Sequence, residues 1–543
     1  MRQLSKQFER KNASMAGKIA VDFGTSNTLV TKWDENNSHG NSIFIPEFSR
    51  YLPQYQDSIA TIPSLIHYTS DHKIWIGNQV HQHDLYGSRH TFRWMKRYIA
   101  TRNPVRINVH GTEITPLQAG KDFLTSVLTF ALTEAEINSS DEIAFSVPVE
   151  SFEHYENWIS SVAQEAGIMR YRLIDEPSAA ALGYGASIQA NSVYLILDIG
   201  GGTMHSSVVL MTEEAQLAGG RRCRVLGKAG KDIGGTTIDQ WLFTDFLKKN
   251  KRKDFDADIR PISNQILAAC EHAKEILSTQ DEAAVSIRMD SGVELSHIYH
   301  RDEFEEILDS YEFFAEINQT IQASINAARE RGYDENKISA ILMVGGSSQI
   351  PAVQKALRYR FGKDRVFTHR PIDAVAAGAA AFISGVDFFD YIQHEYAIRY
   401  VNPQSGEYAY KTLVERGTSY PSLEPVAKLT IKASYDGQEK LGIAIFEIGQ
   451  TANQKPNGME LIFDQSGSAR VIPISAQEQE NRRLFWMNEN NQTFLCAEPP
   501  AHKSEARFSI ELHIDENKRL TITARDLKSN QLLYSNFPVV KLV

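Results

Sequence analysis

Cysteine is scarce in this chain. Cys223, Cys270 and Cys496 are three thiols in 543 residues, far apart and odd in number. They offer neither a disulfide framework nor a CxxC metal pair, so a reducing compartment is expected. Long apolar runs are also missing. The first sixteen residues, MRQLSKQFERKNASMA, are polar and charged, with no stretch fit for a signal peptide, and Met1 and Met15 are both candidate starts. The small-residue stretch Ala374–Val386 is too short to span a bilayer. A cytoplasmic protein without membrane contact is the expectation. Positive charge is not in excess either: the net charge of −10 argues against general nucleic-acid binding, because it repels phosphates over most of the surface. The run Lys248–Lys253 (KKNKRK) is a local exception and reads as a solvated helix end. Histidines crowd in HQHDLYGSRH (81–90), but their spacing fits no standard metal site and no cysteine joins them.

What is present is an ordinary globular composition, 42% apolar and 23% charged, in a chain long enough for two to four domains. Strand, tight turn and strand follow one another at Lys18–Val30 and again at Val193–Met211. Helical periodicity runs through 116–137, 236–280 and 304–331, with buried strands at 143–149 and 338–344. This alternation predicts an α/β core to about residue 385. From Tyr396 onward, short alternating runs such as KLTIKA, LGIAIFEI and RFSIELHI, separated by Gly, Asn, Pro and Asp, predict a mostly β sandwich. The polar stretch Gln477–Gln492 reads as a loop or insertion. The expected divisions are a polar arm at 1–16, an α/β domain at 17–385, a linker at 386–395 and a β domain at 396–543.

The turns carry the chemistry. In DFGTSN (22–27), glycine lets backbone N–H groups approach a phosphate, Thr25 and Ser26 add donors, and Asp22 can hold the waters of a metal. Alone, the pattern also suits an ordinary hairpin turn. It recurs, however, as DIGGGTMH (198–205), with the two aspartates 176 positions apart, as expected for an internal duplication. A third glycine turn, VGGSSQI (344–350), opens a helix whose free N–H groups favour anions or polar ligand atoms.

The order IAVDFGTSN, LIDEPSAAALGYG (173–185), LILDIGGGT, GGTTID (234–239), CEHAKEIL (270–277), ILMVGGSSQIP and DAVAAGAAA (373–381) resembles the ATPase domain of the 70-kilodalton heat-shock (DnaK-type) chaperone family. YKTLVERGTSYP (410–421) and LHIDENKRLTITARDLKSNQ (512–531) are similar to strands of that family's peptide-binding sandwich, with extra length at 460–500 and nothing matching the helical lid. The resemblance implies a two-lobed actin-like (ribonuclease H-like) ATPase domain followed by a β sandwich. It implies ATP or ADP with Mg²⁺ as cofactors, and polypeptide segments, J-domain co-chaperones or nucleotide-exchange factors as partners.

By the same resemblance Asp22 and Asp198 stand near the Mg²⁺, and Gly24, Thr25, Ser26, Asn27, Gly200, Gly201, Gly202 and Thr203 surround the phosphates. Lys96 and Glu176 match the lysine and carboxylate that steady the attacking water and the γ-phosphate, with Asp198 and Thr203 beside them. Lys274, Ser278, Gly345, Gly346 and Ser347 belong to the adenosine side, with Asp373 after them, and Gly234, Gly235 and Glu271 are further cofactor-binding positions. Without the resemblance, Lys96 and Lys274 read as surface lysines and Glu176 as a helix-start acid. Three departures stand out. His205 replaces an acid, which removes a negative charge near the metal; Glu275 and Gln349 replace two arginines that sandwich adenine; and the linker has only Phe388 and Phe389 as strong apolar anchors. Arg172 matches a residue that meets J-domain proteins, and a surface salt bridge explains it equally well. Besides a chaperone-like ATPase, the sequence allows a nucleotide-gated interaction module with little hydrolysis, or a small-molecule kinase of the same superfamily.

Overall fold

The computed structural model describes residues 19–542 except 53–58, 72, 102–104, 136–140, 149–152, 185–190, 214–220, 290, 385–386, 390–391, 393, 403–406, 449–458, 464–465, 474–483, 490–491 and 516–517. The arm expected at 1–16 lies outside these residues, as do parts of the expected linker and of Gln477–Gln492.

One strand arrangement occurs twice. Strand β1 (Ile19–Phe23) pairs antiparallel with β2 (Asn27–Asp34) and parallel with β3 (Glu142–Val147), which pairs parallel with β4 (Arg170–Asp175). The short helix α1 (Met95–Ala100) lies between β2 and β3 in the chain, and α2 (Glu176–Tyr184) follows β4 directly. In the second sheet β5 (Ser192–Ile199) pairs antiparallel with β6 (Met204–Glu213), which pairs with β7 (Arg221–Lys231). Strand β5 also pairs parallel with β8 (Ile338–Val344), which pairs parallel with Val366–Phe367. Helices α3 (Gly235–Lys249) and α4 (Ser263–Leu277) lie between β7 and β8 in the chain, and α5 (Ala374–Ile383) follows. The repeat read from the two aspartates is therefore a repeat of topology. Inner strands such as SVYLILDI are buried on both faces, which is why their apolar residues run nearly unbroken.

Helices α2 and α5 occupy equivalent places in the two halves and cross at glycine. A methyl group on Gly183 would lie 1.8 Å from the Ala374 carbonyl oxygen, and one on Gly378 would lie 1.6 Å from that of Ala179. The alanine-rich faces bring the backbones this close, and the crossing is part of a buried cluster with Ile174, Leu182, Ile196 and Leu342.

Two compact units divide the chain: unit 1 comprises 1–149, 158–389 and 457–474, and unit 2 comprises 150–157, 390–456 and 475–543. In unit 2, β9 (Glu395–Val401) and β10 (Tyr408–Val414) form one edge of a four-stranded sheet, continued by β11 (Ile445–Ile448). A second four-stranded sheet runs in the order 427–432, 506–514, 519–526 and 532–541. Both sheets supply one apolar core that includes Tyr396, Ile445, Phe508 and Ile522.

Several expectations are corrected. Residues 457–474, expected within the β domain, group with unit 1, where β12 (Met459–Phe463) and β13 (Ala469–Pro473) form a hairpin. Part of the expected linker is a strand: Asp387–Phe389 pairs parallel with β7. The stretch read as a loop at 477–492 contains β14 (Leu484–Trp486), paired with β11. The single helix expected at 304–331 is two, Arg301–Ser310 and Phe313–Glu330, broken at Glu312, whose φ of 59° is left-handed. The break lets Tyr311 stack on Trp241 at 4.7 Å while Phe313 is buried, which one continuous helix does not allow. The basic run does end a helix, with Lys249 paired to Asp245 and to Glu303 at 2.8 Å.

The glycine crossing yields a direct test. Gly378→Ala should destabilise unit 1 by at least about 2 kcal/mol, because both facing groups are backbone and cannot rotate away. An unchanged denaturant midpoint would show that the helices tolerate a wider separation.

Candidate functional site

Each sheet ends its first strand in an aspartate and then turns through glycine. The two turns face each other: a Cβ on Gly201 would lie 2.7 Å from the Ser26 hydroxyl, and one on Gly202 would lie 2.8 Å from that of Thr25. Only glycine permits that approach. The second turn is held from behind, since the amides of Gly235 and Thr236 donate to the carbonyls of Gly200 and Gly201 at 2.9 and 2.7 Å.

Between the turns lies a cavity of about 420 Å³, a size that suits a small organic ligand. Asp22 and Asp198 both line it, with Lys96 and Glu176. Gly24, Thr25, Ser26, Asn27, Gly200, Gly201, Gly202 and Thr203 also line it, as do Gly235, Glu271, Lys274, Ser278, Gly345, Gly346 and Ser347. Two expected residues do not. Asp373 pairs with Arg370 at 2.6 Å, and the Gly234 backbone packs against the second turn. Residues Arg50, Tyr51 and Leu52 also line the cavity and were missed. Nothing local in SRYLP marks them; a strand far from the turns in sequence brings them there. Glu275 and Gln349, read as departures, line the same cavity.

The catalytic candidates are set by local sequence. The Asp175 carboxylate accepts from the Ser178 amide and hydroxyl at 3.0 and 2.8 Å, and Pro177 suits the first turn of a helix. Asp175–Pro177 thereby starts α2 at Glu176 and leaves the glutamate at the cavity wall. Asp175 is itself paired with buried Lys228 at 2.8 Å. Burial alone would raise its pKa, but Lys228 and Ser178 hold it below the ordinary value. Lys96 sits on α1 and forms a buried ion pair with Glu176. The residue before α1, Trp94, has φ 59° and ψ 26° and is 2% exposed. A left-handed conformation at so large a residue costs about 1–3 kcal/mol and persists only where packing enforces it.

The cavity is anionic. The half-buried Asp22 and the buried Glu176 and Asp198 carboxylates share it with Lys96. Burial raises the pKa of Asp22, with Lys96 opposing and Glu176 adding to the rise, while the Ser146 hydroxyl donates to it at 2.6 Å. Asp198 is pushed up to about 8 by burial and by the Glu176 and Asp22 charges. Hard oxygens with excess negative charge suit a divalent cation. Among the described residues no three His, Cys, Asp or Glu side chains close on one ion. On the opposite wall, Lys274 bonds Asp239 at 2.7 Å and the Gly235 carbonyl at 3.1 Å. Burial works against its charge, but Asp239 and Glu271 hold its pKa above the usual lysine value.

His205 stands opposite Asp198 in the β5–β6 register and is 1% exposed, with Nδ1 3.9 Å from the Glu176 carboxylate. The Arg172 guanidinium lies 3.9 Å over the Phe382 ring, and no salt bridge to it is seen among the described residues. In the histidine-rich segment His81 stacks on Tyr86 and His83 on Trp75, in keeping with packing. Among the described residues no helix is long and apolar enough to cross a membrane.

The family described as Hsp70 protein has a model that matches residues 19–459, most of the chain and every cavity residue named above. A match of that extent, over a fold of two repeated sheets and a β sandwich, makes this chain a member of the Hsp70 family of chaperone-type ATP-binding proteins.

Proposed function

We propose that the protein hydrolyses ATP in the cleft of unit 1 and uses the nucleotide cycle to bind and release extended polypeptide segments on unit 2. The observation that carries this reading is the facing pair of glycine turns with Asp22, Asp198, Lys96 and Glu176 around one cavity. The turns offer backbone N–H groups to the phosphates. Asp22 and Asp198 would hold Mg²⁺ through its waters, and that ion supplies charge neutralisation at the phosphate oxygens. Lys96 presents its ammonium to the γ-phosphate. The Glu176 carboxylate orients a water and takes up its proton as the new P–O bond forms and ADP leaves. Lys274, Ser278 and the 345–347 turn border the nucleoside.

On unit 2 the proposed polypeptide surface is the edge strand β10. Tyr408 and Tyr410 on it are 67% and 40% exposed, and neighbouring Arg399 lies over the rings of Tyr408, Phe446 and Trp486 at 4.5 to 5.0 Å. An open edge with aromatic side chains suits strand addition by an extended segment. J-domain proteins and exchange factors remain proposed partners on family grounds.

Single-turnover measurement is the central test. Lys96→Ala and Glu176→Gln should each slow hydrolysis by about 10²-fold or more while nucleotide still binds. A parent chain that binds no ATP would sink the reading. His205 favours a second reading, a nucleotide-gated module with little turnover, because an imidazole stands where the family carries an acid. Binding without turnover in the parent, with turnover appearing in His205→Asp, would select it. On unit 2, Tyr408→Asp should weaken a fluorescein-labelled extended apolar peptide by roughly tenfold in anisotropy titrations. Equal affinity would move the peptide site elsewhere.

A further inference from the structure

Residues 457–474 group with unit 1, although the chain on both sides of them belongs to unit 2. The hairpin they form touches both walls of the nucleotide cleft. Toward the wall that carries Lys96, the Phe463 ring lies 5.9 Å from Trp94 and 6.2 Å from Tyr98, with the Arg93 guanidinium 5.5 Å over it. The Tyr98 hydroxyl donates to the Leu461 carbonyl at 3.2 Å. Toward the opposite wall, the Leu461 amide donates to the Gln240 side chain on α3 at 2.9 Å, and the Ala469 amide to the Ser263 hydroxyl on α4 at 2.9 Å. Asn264 donates to the Gly467 carbonyl. Asp254 receives the Val471 amide at 2.9 Å and Arg470 at 3.2 Å.

These contacts are built rather than incidental. Leu461, Phe463 and Ala469 are buried, and a Cβ on Gly467 would lie 2.3 Å from the Arg89 carbonyl oxygen. Across the same seam Arg93 donates to Asn264 at 3.0 Å and Arg97 donates to Thr236. Phe463 packs directly on Trp94, the left-handed residue two before Lys96. The far wall held by the hairpin is α3 and α4, and α4 carries Glu271 and Lys274, with Ser278 just past its end.

We propose that the 459–473 hairpin is a clasp across the cleft: it fixes the strained Trp94 turn, and with it Lys96, and nucleotide leaves only as the hairpin releases one wall. Widening the cleft separates α1 from α3 and α4, and the hairpin is bonded to all three. Phe463 and Asp254 are positioning residues, and neither lines the cavity. The proposal rests on the ATP reading above for its ligand, but not for its mechanics.

The test uses the full chain and a fluorescent ADP, with release followed by stopped flow and hydrolysis by single turnover. Phe463→Ala should release ADP roughly tenfold faster or more and also slow hydrolysis, as Lys96 loses its anchor. Asp254→Asn, far from Lys96, should speed release while leaving hydrolysis within about twofold, a split that general destabilisation does not produce. Release rates within about twofold of the parent in both variants overturn the clasp. If Phe463→Ala gives no cooperative melt, Asp254→Asn decides alone. If the parent binds no nucleotide, the ATP reading fails and hydrogen exchange decides. Faster exchange at 95–100 and 235–249 in Asp254→Asn then supports the clasp, and unchanged exchange removes it.

Discussion

Asp22, Glu176 and Asp198 gather around Lys96 in the cleft between two glycine turns, and burial makes that local imbalance expensive. The rise of Asp198 to about 8 is the energetic trace of the strain. Lys96 pairs with Glu176, and Lys228 with Asp175 at the start of the same helix. A site so charged is suited to a cation arriving with an anionic ligand, and the facing amides of the turns receive the anionic part. The negative charge and the amide donors are complementary halves of one arrangement.

The duplicated sheets make that arrangement possible. Each half ends a buried strand in Asp and turns sharply through glycine, and the crossing of α2 and α5 sets the halves at a fixed separation. That crossing depends on alanine and glycine because larger side chains would hold the helices apart. The same helices start at the residues that matter, since α2 begins at Glu176. Core packing and site geometry are therefore set by the same short motifs.

The hairpin from the later part of the chain adds a constraint that the duplicated halves lack. It supports a left-handed tryptophan beside the lysine helix and bonds to the helices on the other wall. Its two ends continue in sequence into unit 2, so the chain that builds the β sheets also contributes to the nucleotide unit.

Motif order made the two-lobed core and most cavity residues readable, because a phosphate-binding turn needs Asp, Gly and Thr in adjacent positions and leaves a local signature. Lys96, Glu176 and the turns 24–27, 200–203 and 345–347 were found this way. Asp373, expected on the adenosine side, does not line the cavity and pairs with Arg370. Arg50, Tyr51 and Leu52 left no local mark, and neither did the hairpin, whose alternating residues read like any strand of the β domain. Local sequence determined which segments turn, which are buried on both faces and where the site helix begins, since backbone reach and side-chain periodicity act over a few residues. Only tertiary structure decided that His205 lies beside Glu176, that 457–474 leaves its own unit, and that Asp22, Lys96, Glu176 and Asp198 meet in one cavity. Those contacts join residues tens to hundreds of positions apart, and they exist only after the sheets have stacked and the helices have crossed.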